Sequence, residues 1–131
     1  MLFRSGLLDD EVGALKWYRK SAEQGYAGAQ ARLGRMYRNG SGGLEEDSAE
    51  AVKWWQKAAE QGDADAQYDL GRTYFGSRGV GDKEAAIWFR RAAQQGHATA
   101  QYYLRKIYAD GRGFARNATE AANRFNAATA S

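Results

Sequence analysis

The chain contains no cysteine, no proline and a single histidine. Without cysteine there is neither a disulfide nor thiolate chemistry, and the compartment stays open, because cytosolic and secreted proteins can both lack it. His97 has no cysteine or second histidine to join it, so a metal site lacks its usual ligands, and no metal or other cofactor is expected. Without proline, no helix is interrupted from within. No apolar run approaches the roughly 20 residues of a membrane span. The start, MLFRSGLLDDEVG, has no apolar stretch of the signal-peptide kind. The cytoplasm is therefore the default compartment, and removal of a leader from a longer precursor would make the protein periplasmic or secreted. Charge of one sign is also scarce. Nineteen Lys and Arg against sixteen Asp and Glu leave +3, spread along the chain and short of a nucleic-acid-binding block.

What the chain has is repetition. AVKWWQKAAEQG at 51–62 is preceded by ALKWYRKSAEQG at 14–25 and followed by AAIWFRRAAQQG at 85–96, with a decayed copy, AANRFNAATAS, from 121 to the end. Trp17, Trp54 and Trp88 fall in step, each followed by an aromatic (Tyr18, Trp55, Phe89) and closed by Gly25, Gly62 or Gly96. A period of about 34 to 37 residues signifies stacked helical hairpins. Apolar residues at 44% and aromatics at 13% suffice for such an array, in which each unit buries its face against its neighbours.

A second helix type alternates with the first: AGAQARLGRMY at 27–37, ADAQYDLGRTY at 64–74 and ATAQYYLRKIY at 98–108. Ala29/Leu33/Tyr37, Ala66/Leu70/Tyr74 and Ala100/Leu104/Tyr108 recur at i, i+4, i+8, one helical face, and are read as core. Gly34 and Gly71 inside these helices cost about 1 kcal/mol each against alanine. Close approach of a neighbouring helix or a tryptophan ring is the expected compensation. Glycine-rich loops follow at 39–44, 76–81 and 111–114. Asp47 with Glu50, and Asn117 with Glu120, have capping-box spacing, and Asp10 is placed to cap the first Trp helix. In the Trp helix, Ala51, Trp55, Ala58 and Ala59 share one face, and the tryptophans are read as core fillers.

The frame A-x-x-x-L-G-x-x-Y, a glycine loop, then D-x-x-x-A-x-x-W-aromatic-x-x-A-A-x-x-G resembles the Sel-one-like repeat family, a branch of the tetratricopeptide-like helical solenoids. The resemblance implies an all-α, right-handed α-solenoid of antiparallel helix pairs, here about seven helices. It would form one repeat domain over 1–131: a trailing half repeat at 1–26, repeats at 27–62 and 63–96, and a C-terminal capping repeat at 97–131. In that last unit Arg105 replaces the glycine and Arg124 the tryptophan, as an outer face meeting water would require. The resemblance further implies a non-enzymatic scaffold or adaptor, often bacterial, that binds another protein on a concave surface lined by the first helix of each unit.

The outward positions of those helices read Arg32, Arg35 and Arg38 in the first unit, Tyr68, Asp69, Arg72 and Phe75 in the second, and Tyr102, Tyr103 and Lys106 in the third. Arg35, Arg72 and Lys106 recur at one helical position and predict a basic row. Tyr and Arg are the residue types enriched at binding hot spots, so these ten are the expected partner contacts. A solvated basic face, with the tyrosines packed on the next unit, is the plainer alternative. The expected partner is a protein or peptide segment, acidic in character. Single-stranded nucleic acid, held by stacking and charge, is the second reading, and the small net charge argues against it. The acidic pairs Asp9/Asp10, Glu45/Glu46 and Asp63/Asp65 sit at expected helix starts, where caps and the helix dipole explain them without catalysis. Gly40–Gly43 and Gly79–Gly81 lack the Lys-Ser/Thr of a phosphate loop and are read as turns.

Overall fold

The computed structural model of the chain describes residues 2–76 and 81–110, with the side chains of the first helix from Asp10 onward. Six α-helices follow one another: α1 (Leu2–Glu23), α2 (Ala27–Asn39), α3 (Ser48–Glu60), α4 (Ala64–Phe75), α5 (Asp82–Gln94) and α6 (Ala98–Ala109), with a short 3-10 turn at Ser41–Gly43. No strand occurs among the described residues. The expected seventh helix from Ala121, the capping pair Asn117/Glu120, the loop at 111–114 and Arg124 lie outside them.

The chain divides into two compact units, residues 1–66 and 67–131. In the first, α1 packs on α2 and on the 3-10 turn, and α2 packs on α3. Its core joins Leu15 and Ala22 of α1 to Leu33 and Met36 of α2, with Tyr18, Tyr37, Leu44 and Trp54 packed around them. In the second unit α5 packs on α6. Ala85, Ala86, Phe89, Ala92 and Ala93 there meet Ala100, Leu104, Ile107 and Tyr108. Of the i, i+4, i+8 frame, Leu33, Leu70 and Leu104 are fully buried, as are Ala66, Ala100 and Tyr108, whereas Ala29, Tyr37 and Tyr74 are half-buried.

The three described Trp helices end the same way. The amides of Tyr26, Asp63 and His97 reach back to the carbonyls of Ser21, Ala58 and Ala92, and those of Gly25, Gly62 and Gly96 reach Ala22, Ala59 and Ala93. This double bond pattern needs a left-handed residue, and the three glycines adopt φ of 90–100°. The next helix then starts within a residue or two. Asp63 Oδ1 accepts the Ala66 amide at 2.9 Å, and His97 Nδ1 accepts the Ala100 amide at 3.2 Å. His97 is thus a helix cap.

A pair of glutamines ties each hairpin together. Gln30 in α2 donates through Nε2 to the Ala22 carbonyl at 3.1 Å and accepts through Oε1 from Gln61, at the end of α3, at 2.8 Å. Gln95 after α5 donates to Gln67 in α4 at 3.0 Å, and Gln101 in α6 donates to the Ala93 carbonyl at 3.1 Å. Gln30 and Gln67 are buried, so each satisfied amide avoids a desolvation penalty of about 1–3 kcal/mol.

Two expectations are corrected. Asp10 does not begin a helix: α1 runs unbroken from Leu2, so Asp10 lies in its interior. Gly6 costs that helix only about 1 kcal/mol, too little to stop it where no proline intervenes. The tryptophans are also not equivalent. Trp55 is 1% exposed and Trp88 9%, whereas Trp17 is 75% exposed and Trp54 half-buried. The described partners of α1 are α2 and the 3-10 turn. Trp17 sits away from both, on an open flank with Gly13, Lys16 and Lys20.

Candidate partner-binding surface

On α3 and α5 the second aromatic of the Trp helix sets how closely a first-type helix approaches. Trp55 packs against Gly34 of α2, where an added Cβ would stand 2.5 Å from Trp55 Cδ1. Its indole Nε1 donates to the Ala31 carbonyl at 3.2 Å. Phe89 repeats the arrangement on Gly71 of α4, with a Cβ again 2.5 Å from the ring. The interior glycines are therefore explained by ring contact, once by tryptophan and once by phenylalanine. The first aromatics carry cations on their outer side: Lys57 lies 4.8 Å from the Trp54 ring and Arg91 4.9 Å from that of Trp88.

Of the ten expected contact residues, Arg32, Arg72, Tyr102 and Lys106 are exposed, and Arg35, Arg38, Tyr68, Phe75 and Tyr103 are half-buried. Asp69 departs from the expectation, being 2% exposed. At about 100° per residue it falls only about 60° from Ala66, on the shoulder of the core face. Three of the aromatics form part of the second unit's packing. Tyr103 stacks on Phe89 at 5.5 Å, Phe75 meets both edge-on at 5.6 and 6.2 Å, and Tyr68 stacks on His97 at 4.6 Å. Tyr102 is 57% exposed and touches Tyr103 edge-on at 5.4 Å. Burial pushes the Tyr68 phenol above its ordinary pKa, with Arg72 opposing the shift.

The cations hold a recurring relation to the rings. The Arg72 guanidinium lies 5.7 Å from the Tyr68 ring within the second unit. In the first, Arg32 lies 5.8 Å from the Tyr18 ring. There α1 and α2 leave a groove of about 370 Å³, lined by Glu11, Ala14 and Tyr18 on one side and Arg32, Arg35, Met36 and Asn39 on the other, with Ser41 at its end. Glu11 Oε2 accepts the Gly42 amide at 3.3 Å, which fixes the glycine turn to α1. Glu11, Tyr18 and Asn39 were not among the expected contacts. Tyr18 had a signal: it stands where the other two full copies have Trp55 and Phe89. Among the described residues, no group of three or more His, Asp or Glu is placed to hold a metal ion, and no helix is long and apolar enough to cross a membrane.

The Sel1 repeat profile matches residues 3–26, 27–63 and 64–97. The chain belongs to the Sel1 repeat family. Sel1 repeats are generally protein–protein interaction scaffolds and are typically non-catalytic. Two solved structures resemble this Sel1 chain at 36% identity. One is a protective antigen of uropathogenic Escherichia coli strains displaying an SLR fold, with a TM-score of 0.75 over 90% of this chain and 26% of the antigen. The other is a Sel1 repeat protein from Oxalobacter formigenes, with a TM-score of 0.68 over 78% of this chain and 41% of that one. The chain thus spans about a quarter and about two-fifths of the proteins it matches. No curated protein sequence matches it.

Proposed function

We propose that this Sel1 chain is a non-enzymatic scaffold whose first-type helices bind carboxylate-bearing segments of a partner protein. The observation that carries the reading is the guanidinium set over a tyrosine ring in each unit, Arg32 with Tyr18 and Arg72 with Tyr68. Such a pair gives a carboxylate a charged, forked donor and gives the neighbouring apolar group a flat surface. Lys106 and Tyr102, both exposed on α6, extend the same chemistry in the second unit, and Arg35 and Arg38 do so in the first. Tyr68, Phe75 and Tyr103 serve this surface as its rigid base, since their rings are already packed on Phe89 or on one another.

The test uses a labelled peptide of alternating Glu and Tyr, a length-matched neutral peptide and a single-stranded oligonucleotide, followed by fluorescence anisotropy at physiological salt. The acidic peptide should bind and the neutral one should not. Arg32→Glu with Arg72→Glu and Lys106→Glu should weaken acidic-peptide binding by about a hundredfold, the scale of a few charged contacts at hot spots, with the circular-dichroism spectrum unchanged. Tighter binding of the oligonucleotide than of the acidic peptide would overturn the protein-scaffold reading. Undiminished peptide binding by the triple variant would remove these faces from it.

A further inference from the structure

The loop at 39–44 opens on the pair Asn39–Gly40, and asparagine is followed by glycine nowhere else: Asn117, Asn123 and Asn126 precede Ala118, Arg124 and Ala127. Asn39 is the last residue of α2 and is exposed. Gly40 follows in the left-handed region, at φ 69° and ψ 32°, and its amide donates to the Met36 carbonyl, which closes the helix. Only glycine suits that place, since a Cβ would stand 3.2 Å from the Leu44 carbonyl oxygen. Just beyond, Gly42 is buried and donates to Glu11 Oε2 at 3.3 Å. The turn is therefore anchored to α1 three residues past Asn39.

We propose that Asn39 is a site of spontaneous deamidation, held in check by the last turn of α2. Glycine at 40 leaves the attacking amide unshielded by any side chain. Hydroxide removes the proton of that amide, the freed nitrogen bonds to Asn39 Cγ, and the side-chain nitrogen leaves as ammonia. The closed ring is a succinimide. Water then opens it at Cγ to give aspartate, or at the main-chain carbonyl to give isoaspartate, in which the chain runs on through Cγ. The bond to Met36 opposes the first step, because it holds the proton that has to go. Reaction therefore passes through molecules whose final turn is open, and helix ends are the parts that open at least cost. Either product sets a carboxylate at the negative end of the α2 dipole. Isoaspartate also adds one main-chain carbon between α2 and the turn that Glu11 anchors, which pulls the Gly42 amide out of register with its acceptor.

The test incubates the chain at body temperature and mildly alkaline pH beside the unstructured peptide RMYRNGSGGL, residues 35–44. Peptide mass spectrometry follows the conversion of amide to carboxylate, and enzymatic carboxyl methylation detects isoaspartate. Asn39 should convert ahead of the other three asparagines, about tenfold more slowly in the folded chain than in the peptide, as a closed final turn requires. Arg38→Gly weakens that turn and, with its own peptide as reference and its folding checked by circular dichroism, should speed conversion in the folded chain about fivefold. Asn39→Gln should stay unconverted, since its longer side chain would have to close a six-membered ring. Hydrogen exchange should show the Gly42 amide losing protection in the aged chain and keeping it in Asn39→Asp, which carries the charge without the extra carbon. No conversion at Asn39 in the folded chain would overturn the site. Equal rates in chain and peptide, or an Arg38→Gly chain no faster than the wild type, would overturn the control by the last turn. Equal protection of Gly42 in the aged chain and in Asn39→Asp would overturn the effect on the anchor.

Discussion

α1 and α3 carry nearly the same twelve residues, and the fold uses them differently. On α3, Trp55 is closed over by α2, Asp47 caps the helix by accepting the Glu50 amide at 3.0 Å, and Gly34 comes to rest against the indole. On α1, Tyr18 borders an open groove, Asp10 sits inside a helix that has already begun, and Trp17 stands in solvent. A residue's place in a repeat thus says what it is shaped to meet, and its neighbours decide whether the meeting occurs. The face that α3 buries is, on α1, only half-buried at Ala14 and Tyr18.

Matched substitutions on the two helices break or sharpen this contrast. The largest effect is expected at the rings: Trp55→Ala should cost about 3–5 kcal/mol, as for other buried aromatics, and Trp17→Ala no more than about 0.5 kcal/mol. Chemical denaturation followed by circular dichroism reads both, and similar losses would mean that the burial assigned to the two tryptophans is wrong. Glycines come next. Gly34→Ala drives a Cβ into Trp55 and should cost about 1–3 kcal/mol despite the better helix former. Gly13→Ala, with nothing within 4 Å of the new methyl, should stabilise by about 0.5–1 kcal/mol. Opposite signs in melting temperature are the outcome to look for. The caps should differ less. Asp47→Ala is expected to cost about 1 kcal/mol, and Asp10→Ala to change stability by less than about 0.5 kcal/mol in either direction. The smallest effect belongs to Lys57→Ala, which removes an exposed cation from the Trp54 ring and should cost about 0.5–1 kcal/mol, resolvable only with replicate urea titrations.

Much of the fold could be read from spacing, because a repeat states its core several times. The Leu33, Leu70 and Leu104 positions, the Asp47 cap and the ring contact at Gly34 all followed from helical periodicity and residue size. The aromatic pair was harder. Adjacent ring positions differ by about 100° around the helix, so one goes inward and the other to the flank, and composition alone does not say how much cover the flank receives. Trp17 and Asp10 failed for a shared reason: their motif is intact, and what differs is the structure around it. On the candidate surface, the exposure of Arg32, Arg72 and Lys106 was legible. The burial of Asp69 was not, and the packing of Tyr68 and Tyr103 was only the plainer of two readings, since shoulder positions become core or surface according to the next ring. The glutamines escaped notice altogether. A buried amide looks hydrophilic in a sequence, although Gln30, Gln67 and Gln101 repeat as faithfully as the leucines do.

Those glutamines have a consequence for how such a chain can change. Gln30 stands at the start of α2 and Gln61 just beyond the end of α3, so their bond fastens the open mouth of the hairpin, opposite its connecting turn. The partners are 31 residues apart in the first unit, and those of Gln67 and Gln95 are 28 apart. The same clasp therefore closes two hairpins whose intervening lengths differ by three residues, 31 less 28. Length added or lost at the turn leaves the clasp where it was, and the helices keep their register. A hairpin fastened at its mouth gives evolution, or an engineer, a turn that can be lengthened, shortened or rewritten one unit at a time.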